Sequence, residues 1–534
     1  MLEVPGLAGE PVPLTMREVV MTTLAQNFNI QIQLKNRDIA AESVWSEYGI
    51  YDPLVSGQVS QSRVDRPSVG IDGNGNSVRT ALQSDTLGSS VSIAQLTPLG
   101  STVTVTAGES AMYDHHAGNV GASSTTSSLY NRSYSTSASI GVRQPLLKNF
   151  GPLVTNANIR ISKRQLEQSN EQFRGEVMDR LAAVMAAYWD LDFALRNLDV
   201  QRKAMESALE LERVNSKRVE VGNLPRLSLL QAQAQVASRE AFLVTAESQV
   251  IEAQDRLLTL MSWDINNARW NEPIFPADPL SYYEDIVIDD AKAIEVALAS
   301  RPDLVQARLD FEIAEINRNV SRRQRLPNLD AFANYTLSGL DDDRGPAYGD
   351  LGQGDYGGYS YGLELRYPLF NRRARAAYHQ ALDRVDQADL QVDNSELQAM
   401  REVRAATRAI RTALQRIAAT TRQVAADEEK LDAERKRLDV GERTVFDVLD
   451  FQDDLAESRA NQSRALADYQ IALIELARST GVLLEVQGIT VAPQDEPRGW
   501  AYSFEPEKES PITTVDSREW VSFLRDLEGK KTAP

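Results

Sequence analysis

The sequence contains no cysteine, which excludes a disulfide framework and any thiolate metal site. Its three histidines are His115, His116 and His379. The first two sit in a polar, loop-like stretch and the third in a helical one, and none has a partner at metal-ligand spacing. There is no GxSxG elbow and no phosphate-binding glycine loop, so nucleophilic and phosphoryl chemistry lack their parts. No catalytic, cofactor-binding or metal residue is therefore assigned. Positive charge is in deficit, 57 Lys and Arg against 76 Asp and Glu for a formal net charge of −19. That balance argues against a nucleic-acid partner, which needs a basic footprint. The run Asp341, Asp342, Asp343 reads as a solvated loop. No stretch of about 18 apolar residues exists, so no transmembrane helix is available. Met1 to Pro13 lacks the basic start and apolar core of a signal peptide, so either the protein is cytoplasmic or a leader precedes Met1 in the precursor. The strand pattern favours the second reading.

What the chain does contain is itself, twice. Leu14 to Leu54 lies over Ile288 to Asn328 at one constant offset, with Leu24 on Leu298, Ala25 on Ala299, Ile39 on Ile313 and Pro53 on Pro327. ASIGVRQPLLKNFG around Pro145 matches YGLELRYPLFNRR around Pro368, and RVEVGNLPRLSLLQ around Gly222 matches RLDVGERTVFDVLD around Gly441. Each half reads as helix, strands, long helix, glycine turn, long helix, and a duplication of that size sets the architecture. The first repeat spans 1–270, with a helix over 14–50, strands within 52–150 and a helical hairpin over 155–262 that turns at 222. The second spans 271–490, with a helix over 289–326, strands within 328–370 and a hairpin over 373–482 that turns at 441. The tail 491–534, with Trp500 and Trp520, matches no pattern and is expected to pack outside the tunnel the helices form, or to be partly disordered.

The long helices carry a 3.5-residue period, which implies a left-handed supercoil. Val177, Leu181, Val184, Tyr188, Leu191, Leu195 and Leu198 lead to Met205 and Leu209, with Arg202 alone breaking the row. After the turn it resumes at Leu230, Ala234, Ala237, Ala241, Val244, Ser248, Ile251 and Leu258. In the second half it runs through Val403, Thr407, Ile410, Leu414, Ile417, Thr421, Val424 and Leu431. Small seam residues allow close approach on more than one side. About 60 helical residues span roughly 100 Å, longer than a globular domain requires.

Between the helices the polarity alternates with period two. Val91, Ile93, Val103 and Val105 alternate with Ser and Thr around a Pro98 to Gly100 turn, and Ile140 and Val142 alternate with Ser139, Gly141 and Arg143. Tyr359, Tyr361, Leu363, Leu365 and Tyr367 share one side of a strand, with Glu364 and Arg366 on the other. Such strands fit a half-buried soluble sheet or a transmembrane β-barrel wall around a watery lumen. Helices too long for a globule favour the barrel. Arg66 to Ser84 and Leu340 to Gly358, rich in Gly, Ser and Asp, read as linkers.

With QPLLKNFG, AYWDLDFA, VGNLPRLSLLQAQ and VGERTVFDVLD in duplicated order, the chain resembles the TolC-like outer-membrane efflux protein family from about Leu14 to Leu484. The resemblance implies an α+β fold of mostly long α-helices: a trimeric transmembrane β-barrel continued by a coiled-coil α-helical barrel, built from an internal duplication. It implies a passive exit duct across outer membrane and periplasm in a tripartite efflux or type I secretion system. Its partners would be two further copies of itself, a periplasmic adaptor, an inner-membrane pump and outer-membrane lipid. The Ser89 to Gly108 hairpin adds strands beyond the two per half of the simplest members. The missing N-terminal cysteine resembles the unlipidated branch. The rival reading is a soluble coiled-coil scaffold protein.

The same resemblance implies site residues. The turns Val221, Gly222, Asn223 and Val440, Gly441, Glu442 would be the periplasmic tips that meet the adaptor; glycine there can take the left-handed conformation that reverses the chain. Just past the second tip, Asp447 and Asp450 lie three apart on one helix face and would line the closed mouth, with Arg443 helping to lock it. The matching first-tip residues are Ser228 and Gln231, so one hairpin alone would carry the acids.

Overall fold

The computed structural model describes residues 11–71, 76–117, 130–222, 224–263, 270, 272–280, 282, 286–440, 442, 445–494 and 517–529. The first repeat opens with β1 (Val12–Leu14), α1 (Met16–Gln26) and α2 (Phe28–Tyr48). It continues with β2 (Leu54–Ile71), β3 (Ser77–Leu96), β4 (Thr102–Ala117) and β5 (Tyr130–Pro145). A short α3 (Pro152–Thr155) leads into α4 (Ala157–Glu220) and α5 (Arg226–Met261). The second repeat holds β6 (Ile274–Pro276), α6 (Asp290–Ser300), α7 (Pro302–Gln324), β7 (Asn328–Asp341), α8 (Arg344–Gln353) and β8 (Gly357–Arg366). After these come α9 (Arg372–Asp439) and α10 (Val445–Ser479), and the chain closes with α11 (Leu483–Val486) and α12 (Arg518–Gly529).

Each repeat's first helix, expected unbroken over 14–50 and 289–326, is divided at the same aligned position. In the first repeat Asn27 interrupts it, its Oδ1 accepting from the N–H groups of Asn29 and Ile30 at 2.9 and 3.1 Å, an N-cap for α2. In the second the break falls at Arg301, with Pro302 at the first position of α7, where its missing N–H costs nothing.

The helices pack side by side in one curved row. Above the middle of the molecule the order is α2, α4, α7, α9; towards the glycine turns it is α5, α4, α10, α9. α4 and α9 run the full height, on the order of 100 Å each, and the row leaves two free edges. At mid-height a hydrophobic cluster gathers α1, α2, α4, α5, α6, α9, α10, α11 and α12. The Tyr188 hydroxyl, fully buried there, donates to the Leu14 carbonyl or the Asp278 carboxylate, at 3.0 and 2.8 Å. It pins the small β1–β6 parallel pair against α4. Part of the tail joins this core: Trp520 and Leu524 of α12 are buried, and Lys292 of α6 pairs with Glu519 at 2.8 Å. Trp500 lies outside the described residues.

The seams follow the sequence period with informative slips. On α4 the row is buried from Val177 through Leu198, after which Ala208 is buried and Leu209 is exposed. On α9 Val403, Thr407, Ile410, Ile417 and Leu431 are buried and Thr420 takes the place of Thr421. On α5 the residues buried within the chain are Ala232, Arg239, Ala246, Val250, Gln254, Leu257, Leu258 and Met261, so the last member of the row read from the sequence, Leu258, is buried. The row read from the sequence, Leu230 to Ser248, forms a second apolar face that lies exposed.

Six strands make one antiparallel sheet in the order β2, β3, β4, β5, β7, β8. Arg66 to Ile71 and Ser77 to Ser84, expected as linker, extend the β2–β3 hairpin, and Arg344 to Gln353 forms α8. His115 and His116 fall in β4 rather than a loop. Registers align whole rows across the sheet. Val55, Ile93, Val105, Ile140, Tyr335 and Tyr359 stand abreast, as do Ser56, Ser92, Thr106, Ser139, Thr336 and Gly358 one position along. One face is thus an apolar, solvent-exposed surface and the other is small and polar. At its lower end the polar face carries Arg143, paired with Glu364 at 2.7 Å and Asp330 at 3.4 Å, and Arg366, 3.2 Å from Glu364.

Two glycines with positive φ separate strain from crowding. A Cβ on Gly481 (φ +76°) would sit 2.9 Å from the Arg301 backbone, whereas one on Gly222 (φ +79°) meets nothing within 4 Å. Both alanine variants carry the left-handed penalty of about 1–2 kcal/mol. Only Gly481→Ala also forces the end of α10 off α7, so it should lower the thermal midpoint clearly more than Gly222→Ala; equal shifts by calorimetry would refute this.

Candidate functional site

The long hairpins bring two turns to one end of the molecule. α4 stops where the Gly222 N–H donates to Val219 O at 3.0 Å, and α5 restarts after Pro225, whose carbonyl accepts from Ser228 N–H at 3.0 Å. The second turn closes as the Glu442 N–H reaches Arg437 O at 3.0 Å, the long back-bond of a Schellman-type helix end. Val221 and Val440 are exposed at 68% and 72%, so each tip presents an apolar side chain to solvent. Asn223, Gly441 and Arg443 lie outside the described residues.

Asp447 and Asp450 both fall in the first two turns of α10, Asp450 exposed and Asp447 half-buried. Between them Val448 and Leu449 turn inward, and Val448 packs with Leu431 and Leu455 in a small cluster separate from the main core. Ser228 and Gln231 hold the equivalent places at the start of α5. The geometry puts the two acids on one hairpin, at the end of the row of helices that carries the glycine turns.

A contact with no local signature in the sequence ties the hairpins together near this end. Arg239 of α5, 6% exposed, pairs with Asp453 of α10, and Gln235 Nε2 donates to the same carboxylate at 2.8 Å. Burial lowers the Arg239 pKa from its ordinary value, yet the guanidinium stays charged across the physiological range. The partners are 214 residues apart for Arg239 and 218 for Gln235 (453 less 239 and less 235), beyond the reach of any periodicity. Breaking the pair strands a buried cation, so Asp453→Ala should loosen the tips. The expected result is faster amide exchange over the ends of α5 and α10 with unchanged exchange at mid-height; unchanged exchange at the tips would remove this pair as a clasp.

Among the described residues no group of three or more His, Asp or Glu could hold a metal ion, and no helix is long and apolar enough to cross a membrane.

Comparison with known proteins bears on this arrangement. The family described as outer membrane efflux protein matches residues 113–262 and 293–482, one segment in each repeat. The chain is 25% identical over 364 residues to the outer membrane efflux protein BepC of Brucella suis, covering 67% of this chain and 75% of that protein. It is 26% identical over 233 residues to the alkaline protease secretion protein AprF of Pseudomonas aeruginosa, covering 41% and 44%. In fold it is similar to a membrane protein of Pseudomonas aeruginosa (TM-score 0.64, 18% identity, 87% and 90% of the two chains). It is also similar to the CmeC outer membrane channel of Campylobacter jejuni (TM-score 0.62, 16% identity, 88% and 86%).

Proposed function

The chain belongs to the outer membrane efflux protein family, and from that premise we propose that it is the passive exit duct of a tripartite efflux or type I secretion system, working as a homotrimer without catalysis. The observation that carries the reading is the six-stranded sheet with an apolar outer face, a polar inner face and two unpaired edges. A soluble scaffold has no use for such a sheet, and lipid does not tolerate its open edges.

Three copies close it. The strands alternate in direction across the sheet, so β2 and β8 run opposite ways and β8 of one copy can join β2 of the next by an ordinary antiparallel ladder. Three six-stranded sheets give an eighteen-stranded wall. At a strand spacing of about 4.8 Å and a tilt of about 40°, its diameter is roughly 36 Å. The helices close in the same sense: α9 is free on one edge of the row, and α5 with its exposed Leu230, Ala234, Ala237, Ala241 and Val244 on the other. The tips at Val221, Gly222, Asn223 and Val440, Gly441, Glu442 would meet a periplasmic adaptor, which couples the duct to an inner-membrane pump.

The end with the glycine turns would be the gate. Asp447 and Asp450 from each of three copies ring one opening, with Arg443 beside them. Carboxylates crowded there repel one another and attract cations. Recording from single channels in lipid bilayers, Asp447→Asn with Asp450→Asn should reduce cation preference and block by trivalent cations; unchanged values for both would remove these residues from the pore.

The outer face of the sheet would meet lipid. A charge there costs on the order of 2–4 kcal/mol near the midplane, so Leu363→Arg should reduce the yield of membrane-inserted trimer. Glu364→Gln, on the lumen face, should not. Equal tolerance of both would mean the faces are reversed.

A further inference from the structure

Where β8 gives way to α9, a cleft of about 450 Å³ opens between α7 and α9. Arg322, Arg325, Arg375 and His379 line it, with Tyr367 and Asn371. In a chain with net charge −19, three arginines face one small volume. Several partly buried arginines elsewhere are paired with acids: Arg301 with Asp303 and Glu402, Arg464 with Asp190, Arg478 with Glu475. Here no carboxylate among the described residues pairs with Arg322, Arg325 or Arg375. The neighbouring Arg372 and Arg373 have none either. The acids nearest along the polar face, Asp330 and Glu364, are engaged by Arg143 and Arg366.

Three details point to an anion. The Arg325 Nε is buried without a hydrogen-bond partner, although its guanidinium is held in place over the Tyr378 ring, 3.8 Å from the centroid. Asn371, at the cap of α9, makes no capping bond to the first turn. Its side chain instead donates to Arg325 O at 2.9 Å, which leaves the first turn of a 68-residue helix without a side-chain cap where Asn371 and Arg375 line the cleft; helix N-termini favour anions. Arginine forks with backbone N–H groups are the usual cradle for phosphate oxygens.

The duplication supplies an internal control. Arg322, Arg325, Arg375 and His379 correspond in the first repeat to Tyr48, Tyr51, Pro152 and Asn156. There the Tyr51 hydroxyl hydrogen-bonds Asn156 Oδ1, and one cation, Lys163, lies over the Tyr48 ring. The helix-to-strand junction therefore does not require arginines, and the second repeat carries them for another reason.

Depth identifies the ligand. Leu363 and Leu365 on the apolar sheet face and Leu369 and Phe370 just below are exposed, Leu369 at 90%, and the arginines begin immediately after. Apolar residues meeting clustered arginine mark a boundary between hydrocarbon and headgroups. Resting on the outer-membrane reading above, we propose that this cleft binds the phosphate of an anionic phospholipid in the periplasmic leaflet, one per subunit, and so fixes the height of the duct in the membrane.

The test uses the delipidated trimer in detergent, with native mass spectrometry reading retained lipid. Dioleoylphosphatidylglycerol should be retained and dioleoylglycerol, which lacks the phosphate, should not. Arg322→Gln with Arg375→Gln should weaken retention at least tenfold while the trimer persists, and Arg322→Lys with Arg375→Lys should keep most of it. Millimolar inorganic phosphate should not displace the lipid. Equal retention by the Gln variant would overturn the proposal. So would displacement by inorganic phosphate, which would make the ligand a free anion. Dissociation of the Gln variant with its lipid retention intact would instead pair the arginines with a neighbouring subunit's carboxylate. Failure to find any trimer would sink the duct reading itself, a result distinct from a trimer without lipid.

Discussion

A backbone N–H or C=O inside the hydrocarbon of a membrane must find a partner within protein, and β2 and β8 each present a row with none in their own chain. The rest of the molecule depends on meeting that need. The sheet does not curl shut on its six strands: β2 and β8 are its two edges and are not hydrogen-bonded to each other. In the proposed trimer it would close with copies of itself, and the helices that continue its strands would be carried into a ring by the same symmetry. The Arg301 guanidinium, bonded to Glu402 at 2.8 Å and to Ser479 O at 3.1 Å, locks α7, α9 and α10 together below the sheet. The geometry set in the membrane is thereby passed to the long hairpins.

Packing thins from the middle towards the tips. The main cluster gathers nine helices at mid-height; near the second tip the buried apolar core reduces to Leu431, Val448 and Leu455. Segments with few buried contacts are the ones that open at low cost, and a duct gated at that end, as proposed, would need its weak packing there. The Arg239–Asp453 pair crosses between hairpins in this thin region, where one polar contact has more leverage than it would at mid-height.

The repeat, the helix periods and the apolar and polar faces of the strands were legible because each is a local pattern repeated many times. The α5 row from Leu230 to Ser248 shows the limit of such patterns. A heptad records that a face is covered without saying by which chain, and α5 has two such faces, only one of which is used within the protomer. The β2–β3 hairpin beyond Arg66 reads as linker because Gly70, Gly73, Asn74, Gly75 and Asn76 crowd the middle of its sequence and interrupt the alternation. α8, with three glycines and a proline, reads as loop by propensity; it forms because Ala347 seats against Gly339, where a Cβ would approach Ala347 O to 2.0 Å. The break at Arg301–Pro302 carried a signal, proline at a helix start, that the continuous period around it masked. Arg239 with Asp453, and the arginine cleft at the head of α9, join residues distant in sequence, and their chemistry exists only after folding.

The measurement that bears most directly on the account is electron cryomicroscopy of the protein in lipid nanodiscs at a resolution that separates strands. The account predicts a trimer with eighteen strands around one lumen and β8 of each subunit hydrogen-bonded to β2 of the next. A closed wall that leaves the β2–β3 hairpin outside it, or a particle in which the sheet edges remain unjoined, would contradict it.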